Sequence, residues 1–298
     1  MAYYCDDSDN RLTSVVAGGV TTSMVYDYDG NLVQKTVGGQ VTRYVYAGGP
    51  APVAEINVTA GTTKDFIQAN GRTWGVMDAT SNTYFHHDAI GSVVALSNNS
   101  GQVTDTYEYE PFGKVLDHQG TSTNDYQFVG GYGVRKLNDT LDTMGVRQYS
   151  EKVGRFTTQD PIGFKSDSSN FFEYVQNNPL INIDLTGLWT YATEYGTTGY
   201  GLSPLMIDAA PSVDYAFNLV IHHDAIVTYT TNGKHMNGSL HYVGLAVDLR
   251  TRDMTSSQRS ATVSELKGAL GTMFDILDEV DHIHVEYDPK KCTSDSDS

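Results

Sequence analysis

Along the first half of the chain, apolar and aromatic residues alternate with polar ones in short runs closed by glycine turns. Val25, Tyr26 and Tyr28 precede Asp29-Gly30, and Leu32 and Val33 follow it, the order that a β-hairpin needs. Tyr44, Val45 and Tyr46 begin a further strand. Asp9-Asn10-Arg11-Leu12 and Asp29-Gly30-Asn31-Leu32 recur with their leucines 20 residues apart, which predicts stacked hairpins of one repeating design. From Trp189 the pattern changes. Phe217 to Thr230 alternates and clusters apolar residues as strands do, whereas Ser256 to Leu277 sets Val263, Leu266, Leu270, Met273, Phe274 and Leu277 at helical spacing. One helix, capped by Thr255 or Ser256, is therefore predicted in an α+β module.

A chain of 298 residues is long enough for two separate cores. Its 29 glycines, its 20 tyrosines against 10 phenylalanines and its charged fraction of 18% suit short strands joined by tight turns. The net charge is −17; residues 189–298 hold 15 acidic and 7 basic side chains, hence −8, leaving −9 for residues 1–188. Without a basic stripe to displace counterions, nucleic acid is not an expected partner. Cys5 and Cys292 lie near opposite ends, so neither half holds a disulfide framework of its own. No basic and apolar leader opens the chain and no run of about eighteen apolar residues follows, so a soluble protein without a signal peptide or membrane span is expected.

Several motifs between Tyr84 and Leu188 stand in a fixed order. They are Tyr84-Phe85-His86-His87-Asp88-Ala89-Ile90-Gly91, Tyr109-Glu110-Pro111-Phe112-Gly113, Gly154-Arg155-Phe156 running to Asp160-Pro161-Ile162-Gly163, Tyr174-Val175-Gln176-Asn177-Asn178-Pro179, and Asp184-Leu185-Thr186-Gly187-Leu188. With the tyrosine-aspartate repeats, residues 1–188 resemble the core of the rearrangement-hotspot (RHS) family, departing at Leu185, where that family usually has proline. The resemblance implies a β-rich shell that houses a variable C-terminal toxin and frees it by self-cleavage between Leu188 and Trp189. Asp160 and Asp184 would form the carboxylate pair, one protonated and one activating water, since two close carboxylates do not both ionise cheaply. The plain alternative is that each caps a turn beside Pro161 or Gly187. A wall of 188 residues is short for enclosing a folded domain, so a terminal piece of a longer ancestor is expected.

Six of the nine histidines lie beyond Trp189. His241, Asp248 and His284 are three metal-competent groups, and three ligands leave a fourth tetrahedral position open to water, as in catalytic zinc sites. On a strand His282 and His284 share a face, with Asp281 opposite unless the strand starts after it. His241 and Asp248 are seven apart and so need a bend, for which Gly244 offers backbone freedom. Ser239-Leu240-His241-Tyr242-Val243-Gly244-Leu245-Ala246-Val247-Asp248, with Asp281-His282-Ile283-His284, resembles the D-Ala-D-Ala carboxypeptidase and Hedgehog superfamily of zinc peptidases. That resemblance implies Zn2+ on His241, Asp248 and His284, Asp281 as general base, His282 as transition-state partner, and His235 or His282 at the oxyanion. Ser239 and Arg250 are candidates for substrate binding, although an exposed charged edge is the plain reading of Arg250 and Arg252.

The expectation is thus a multidomain chain, with residues 1–188 a β-rich RHS-type repeat shell fragment and residues 189–298 a small α+β zinc metallopeptidase. It would be an interbacterial effector, made in the cytoplasm and delivered by a secretion machinery such as type VI to the target-cell periplasm. There it would hydrolyse peptidoglycan stem peptides, with an immunity protein guarding the producer. The alternative is a zinc-containing module that binds wall or protein without hydrolysis.

Overall fold

The computed structural model describes residues 2–5 (as backbone), 11–28, 30–47, 51–159, 170–193, 197, 199, 201–232, 234–236 and 238–288. Two compact units are present. The first holds a twelve-stranded antiparallel sheet in which every strand pairs with its neighbour in sequence. Its first half is β1 (Ala2–Cys5), β2 (Leu12–Ala17), β3 (Val20–Tyr26), β4 (Leu32–Val37), β5 (Gln40–Val45) and β6 (Ala54–Asn57). The meander continues through β7 (Thr62–Ala69), β8 (Arg72–Met77), β9 (Asn82–His87), β10 (Val93–Ser97), β11 (Val103–Tyr109) and β12 (Val115–Gln119). A second, four-stranded sheet contains β13 (Arg135–Asn138), β14 (Leu141–Met144), β15 (Arg147–Ser150) and β16 (Arg155–Phe156).

The twenty-residue repeat has a physical basis in these strands. Leu12 and Leu32, the repeated leucines, are 1% and 2% exposed and share a core with Val15, Met24, Tyr44, Leu137 and Leu141. Each backbone carbonyl of the pair accepts from a tyrosine hydroxyl fourteen residues later, Tyr26 to Leu12 at 2.8 Å and Tyr46 to Leu32 at 3.0 Å. Tyrosine outnumbers phenylalanine because this packing needs an aromatic body that ends in a donor. Buried Arg135 lies over the Tyr44 ring at 4.2 Å and donates to Tyr46 Oη at 2.6 Å, so the aromatic repeats also house a cation. Tyr28, expected in a strand, is instead 99% exposed in the turn after β3.

The second unit is built on a six-stranded sheet, formed by β17 (Asn182–Ile183), β18 (Thr190–Ala192), β19 (Ile226–Tyr229), β20 (Ala246–Arg250), β21 (Phe274–Asp278) and β22 (His282–Tyr287). Its spatial order is β17-β18-β19-β20-β22-β21, with only β18 and β19 parallel. β17 precedes the expected boundary at residue 188 and pairs Ile183 with Tyr191 of β18. Helices α1 (Pro204–Asp208), α2 (Ala210–Ile221) and α3 (Ser256–Leu270) accompany the sheet, and α2 packs on α3.

Two elements differ from expectation. Phe217 to Ile221 is the last part of α2, not strand: Val213, Ala216 and Phe217 are buried at helical spacing and the strand begins only at Ile226. The helix expected over Ser256 to Leu277 stops at Leu270, where Gly271 at φ +75° breaks it, and Phe274 to Leu277 continue as β21. Thr255 caps α3 in a reciprocal capping box with Gln258.

Candidate metal centre

Three elements of the second unit bring His241, Asp248 and His284 together. His241 lies in a single 3-10 turn, Leu240–Val243, whose N-cap Ser239 accepts from the His241 amide at 3.3 Å. Gly244 ends that turn at φ +71°, a left-handed conformation that costs little only in glycine, and redirects the chain into β20. Asp248 and His284 are direct cross-strand partners on β20 and β22. The seven-residue spacing from His241 to Asp248 is thereby folded back onto one point.

The donor atoms form a small triangle. His241 Nε2 lies 3.2 Å from Asp248 Oδ1 and 3.3 Å from His284 Nδ1, and His284 Nδ1 lies 2.8 Å from Asp248 Oδ1. Ligands about 2.0–2.1 Å from a tetrahedral zinc stand roughly 3.3 Å from one another; both edges at His241 have that length, and the Asp248–His284 edge is shorter by about half an ångström, a hydrogen-bond length that a cation would open. His241 and Asp248 are 2% and 5% exposed. The outer nitrogens are engaged as well: His241 Nδ1 is 2.7 Å from the Thr230 carbonyl and His284 Nε2 is 3.1 Å from Glu286 Oε2. With those nitrogens as the protonated donors, the inner ones carry lone pairs into the triangle. The residues present therefore fit a divalent cation of zinc's size and ligand taste.

Electrostatics make the carboxylate corner anionic. Burial pushes the Asp248 carboxyl up, but bonds from His241 and His284 outweigh it and hold the group well below the usual carboxylate range. Burial likewise opposes the charged form of His284, yet the carboxylates of Asp248 and Glu286 prevail and take it up to about 9, so at neutral pH a proton holds the His284 corner of the triangle and a metal ion binding there would displace it. The Asp248 anion is the group that would attract a cation into the triangle, in exchange for the proton on His284.

The remaining candidates surround this point. His282 shares the face of β22 with His284; its Nε2 is 3.4 Å from Asp248 Oδ1 and 3.3 Å from Glu279 Oε2. Asp281 stands ahead of the strand, 84% exposed at its side chain, and meets His282 Nδ1 at 2.9 Å. The His235 ring stacks on His241 at 3.9 Å, with Nε2 2.7 Å from the Asn232 carbonyl. Ser239 serves as the cap described above, and Arg250 pairs with Asp253 at 2.7 Å. Thr230, Glu279 and Glu286 were not singled out in the sequence. Glu286 was within reach of it, since strand alternation places residues 282, 284 and 286 on one face.

At the junction, Asp184 is 3% exposed and its Oδ1 accepts from the Leu188 amide at 3.2 Å, one residue before the expected scissile bond. Trp189, on the other side of that bond, is 3% exposed. Asp160, the expected partner carboxylate, lies outside the described residues.

Residues 2–183 match the protein family described as Teneurin YD-shell. The tRNA nuclease WapA of Bacillus subtilis (strain 168) is 28% identical over 199 residues, 63% of this chain and 8% of the relative. The double-stranded DNA deaminase toxin A of Burkholderia cenocepacia (strain H111) is 27% identical over 60% of this chain and 12% of its own length. The chain thus spans about a tenth of the length of these relatives. Among solved structures, the crystal structure of TcdB2-TccC3-TEV covers 62% of this chain and 10% of its own at 20% identity with a TM-score of 0.50, a likeness of fold.

These relatives correct the expected activity. They are named a tRNA nuclease and a DNA deaminase, and the assignment of this chain as a zinc metallopeptidase acting on peptidoglycan does not stand beside them. The exclusion of nucleic acid falls too, because a net charge of −17 averages over the whole chain and says nothing of the field at one site. Among the described residues no helix is long and apolar enough to cross a membrane.

Proposed function

The chain belongs to the Teneurin YD-shell family, and from that premise we propose that it is part of a polymorphic toxin whose residues 189–298 carry a metal-dependent hydrolytic centre. Its first part is an RHS-type, toxin-like shell. The observation that carries the hydrolytic reading is the donor triangle of His241, Asp248 and His284, with edges of 2.8–3.3 Å and both outer imidazole nitrogens held by acceptors. A bound Zn2+ would supply Lewis acidity and a water of lowered pKa at its fourth position. His282, aimed at Asp248 and flanked by Glu279 and Asp281, is placed to hold a proton or steady charge beside that position.

Scission between Leu188 and Trp189, with Asp184 beside the bond, belongs to the same proposal, as do delivery into a competitor by a secretion machinery and a neutralising partner in the producer. The relative named a DNA deaminase toxin supports this setting. The test is growth inhibition on induced expression in a bacterial host, with tRNA and DNA integrity followed over time. The unaltered chain is expected to arrest growth and Asp248→Ala to abolish the arrest at equal protein level. Equal arrest by both would remove the metal centre from the toxic activity.

A further inference from the structure

The two imidazoles of the triangle turn different nitrogens inward. His241 presents Nε2 and gives Nδ1–H to the Thr230 carbonyl at 2.7 Å. His284 presents Nδ1, 2.8 Å from Asp248 Oδ1, and has Nε2 3.1 Å from Glu286 Oε2. In the neutral form that a cation on Nδ1 requires, His284 carries one proton, and two carboxylates compete for it. If Asp248 takes the N–H, the Nδ1 lone pair is lost to a cation; if Glu286 takes it, the lone pair faces the triangle.

Asp248 makes the shorter contact, but a cation in the triangle would engage Asp248 and leave Glu286 as the acceptor for the remaining proton. Glu286 lies on β22 two residues beyond His284, on the same face by strand alternation, with its side chain 28% exposed. Strand pairing on both sides, Ala246 and Asp275 opposite Glu286, fixes its backbone. We infer that Glu286 is a positioning residue of the metal centre, setting the tautomer and ring angle of His284 so that Nδ1 is the ligating atom. This role rests on the metal reading above.

Zinc affinity of the full chain, measured by competition with a chromogenic chelator, separates the two. Glu286→Ala is expected to weaken zinc binding roughly 10–100-fold, the usual cost of losing an outer partner of a histidine ligand. Glu286→Gln should fall between, because its amide oxygen still accepts from Nε2–H without the charge. A shifted visible spectrum of the cobalt-loaded Glu286→Ala protein, with a metal-free melting point within a few degrees of the unaltered chain, would mark repositioned ligation and not general damage. Equal zinc affinity in all three proteins overturns the positioning role alone. Absence of zinc uptake by the unaltered chain overturns the metal centre and the role with it.

Discussion

Gly244→Ala probes the turn on which the site depends. Gly244 sits at φ +71°, and an added methyl would overlap the Gly201 carbonyl oxygen and stand 3.0 Å from Leu202 Cα, all of it backbone. The left-handed conformation costs a non-glycine residue roughly 1–2 kcal/mol. Relieving a clash with backbone costs about 1–3 kcal/mol more, since no rotamer change can absorb it. The sum is roughly 2–5 kcal/mol, or a drop of about 10 °C or more in the melting of a unit this size. Any relaxation must also disturb the bond from the Ser203 amide to the Gly244 carbonyl, 2.9 Å long, and so shift His241 relative to Asp248. Only two tryptophans exist, Trp74 at 42% exposure in the first unit and Trp189 at 3% in the second. Fluorescence of Trp189 in a Trp74→Phe background therefore reports the second unit alone. Gly268→Ala is the control: it lies in α3 with nothing within 4 Å of the added methyl, and should raise stability by up to ~1 kcal/mol through helix propensity. Gly244→Ala melting at the unaltered temperature, with unaltered zinc affinity, would refute the reasoning.

Two further outcomes are expected. Asp105 is fully enclosed; burial raises its pKa, but Ser122 Oγ and amide and His118 Nε2 outweigh this and hold it at about 2. Because the folded pKa lies below the unfolded one of about 3.9, the pairing contributes roughly 2 kcal/mol above pH ~4 and loses it as pH falls toward ~2, so Asp105→Asn should flatten acid melting curves over that window. For the junction, the purified chain should resolve on a denaturing gel into residues 1–188 and 189–298 while Asp184→Asn stays whole; an uncut unaltered chain contradicts scission at Leu188.

How far the sequence led depended on how local each signal was. The repeat of Leu12 and Leu32 was legible because spacing alone puts both in one core, and a cap at Thr255 or Ser256 because hydroxyl residues ahead of a helical run mark its start, although the choice of Thr255 came only with its bonds to Gln258. Phe217 and Phe274 were misassigned for a shared reason: in short apolar runs, periods of 2 and 3.6 overlap, and Gly271, which ends α3, carries its signal in a backbone angle. At the site, the bend at Gly244 followed from a parity argument on His241 and Asp248. The Thr230 carbonyl did not, since a backbone acceptor has no residue-type signature. Nor did the pairing of β17 with β18 across the expected boundary, which two residues of strand could not announce.

The most direct measurement is metal content per chain, by elemental analysis, of the purified full chain after exhaustive dialysis against trace zinc. One zinc per chain is expected, lost in His241→Ala, Asp248→Ala and His284→Ala and retained in His222→Ala, where the backbone amide, not the ring, ends α2 by donating to the Asn218 carbonyl. A chain that holds no zinc, or that holds it equally after all three ligand substitutions, would contradict the metal centre.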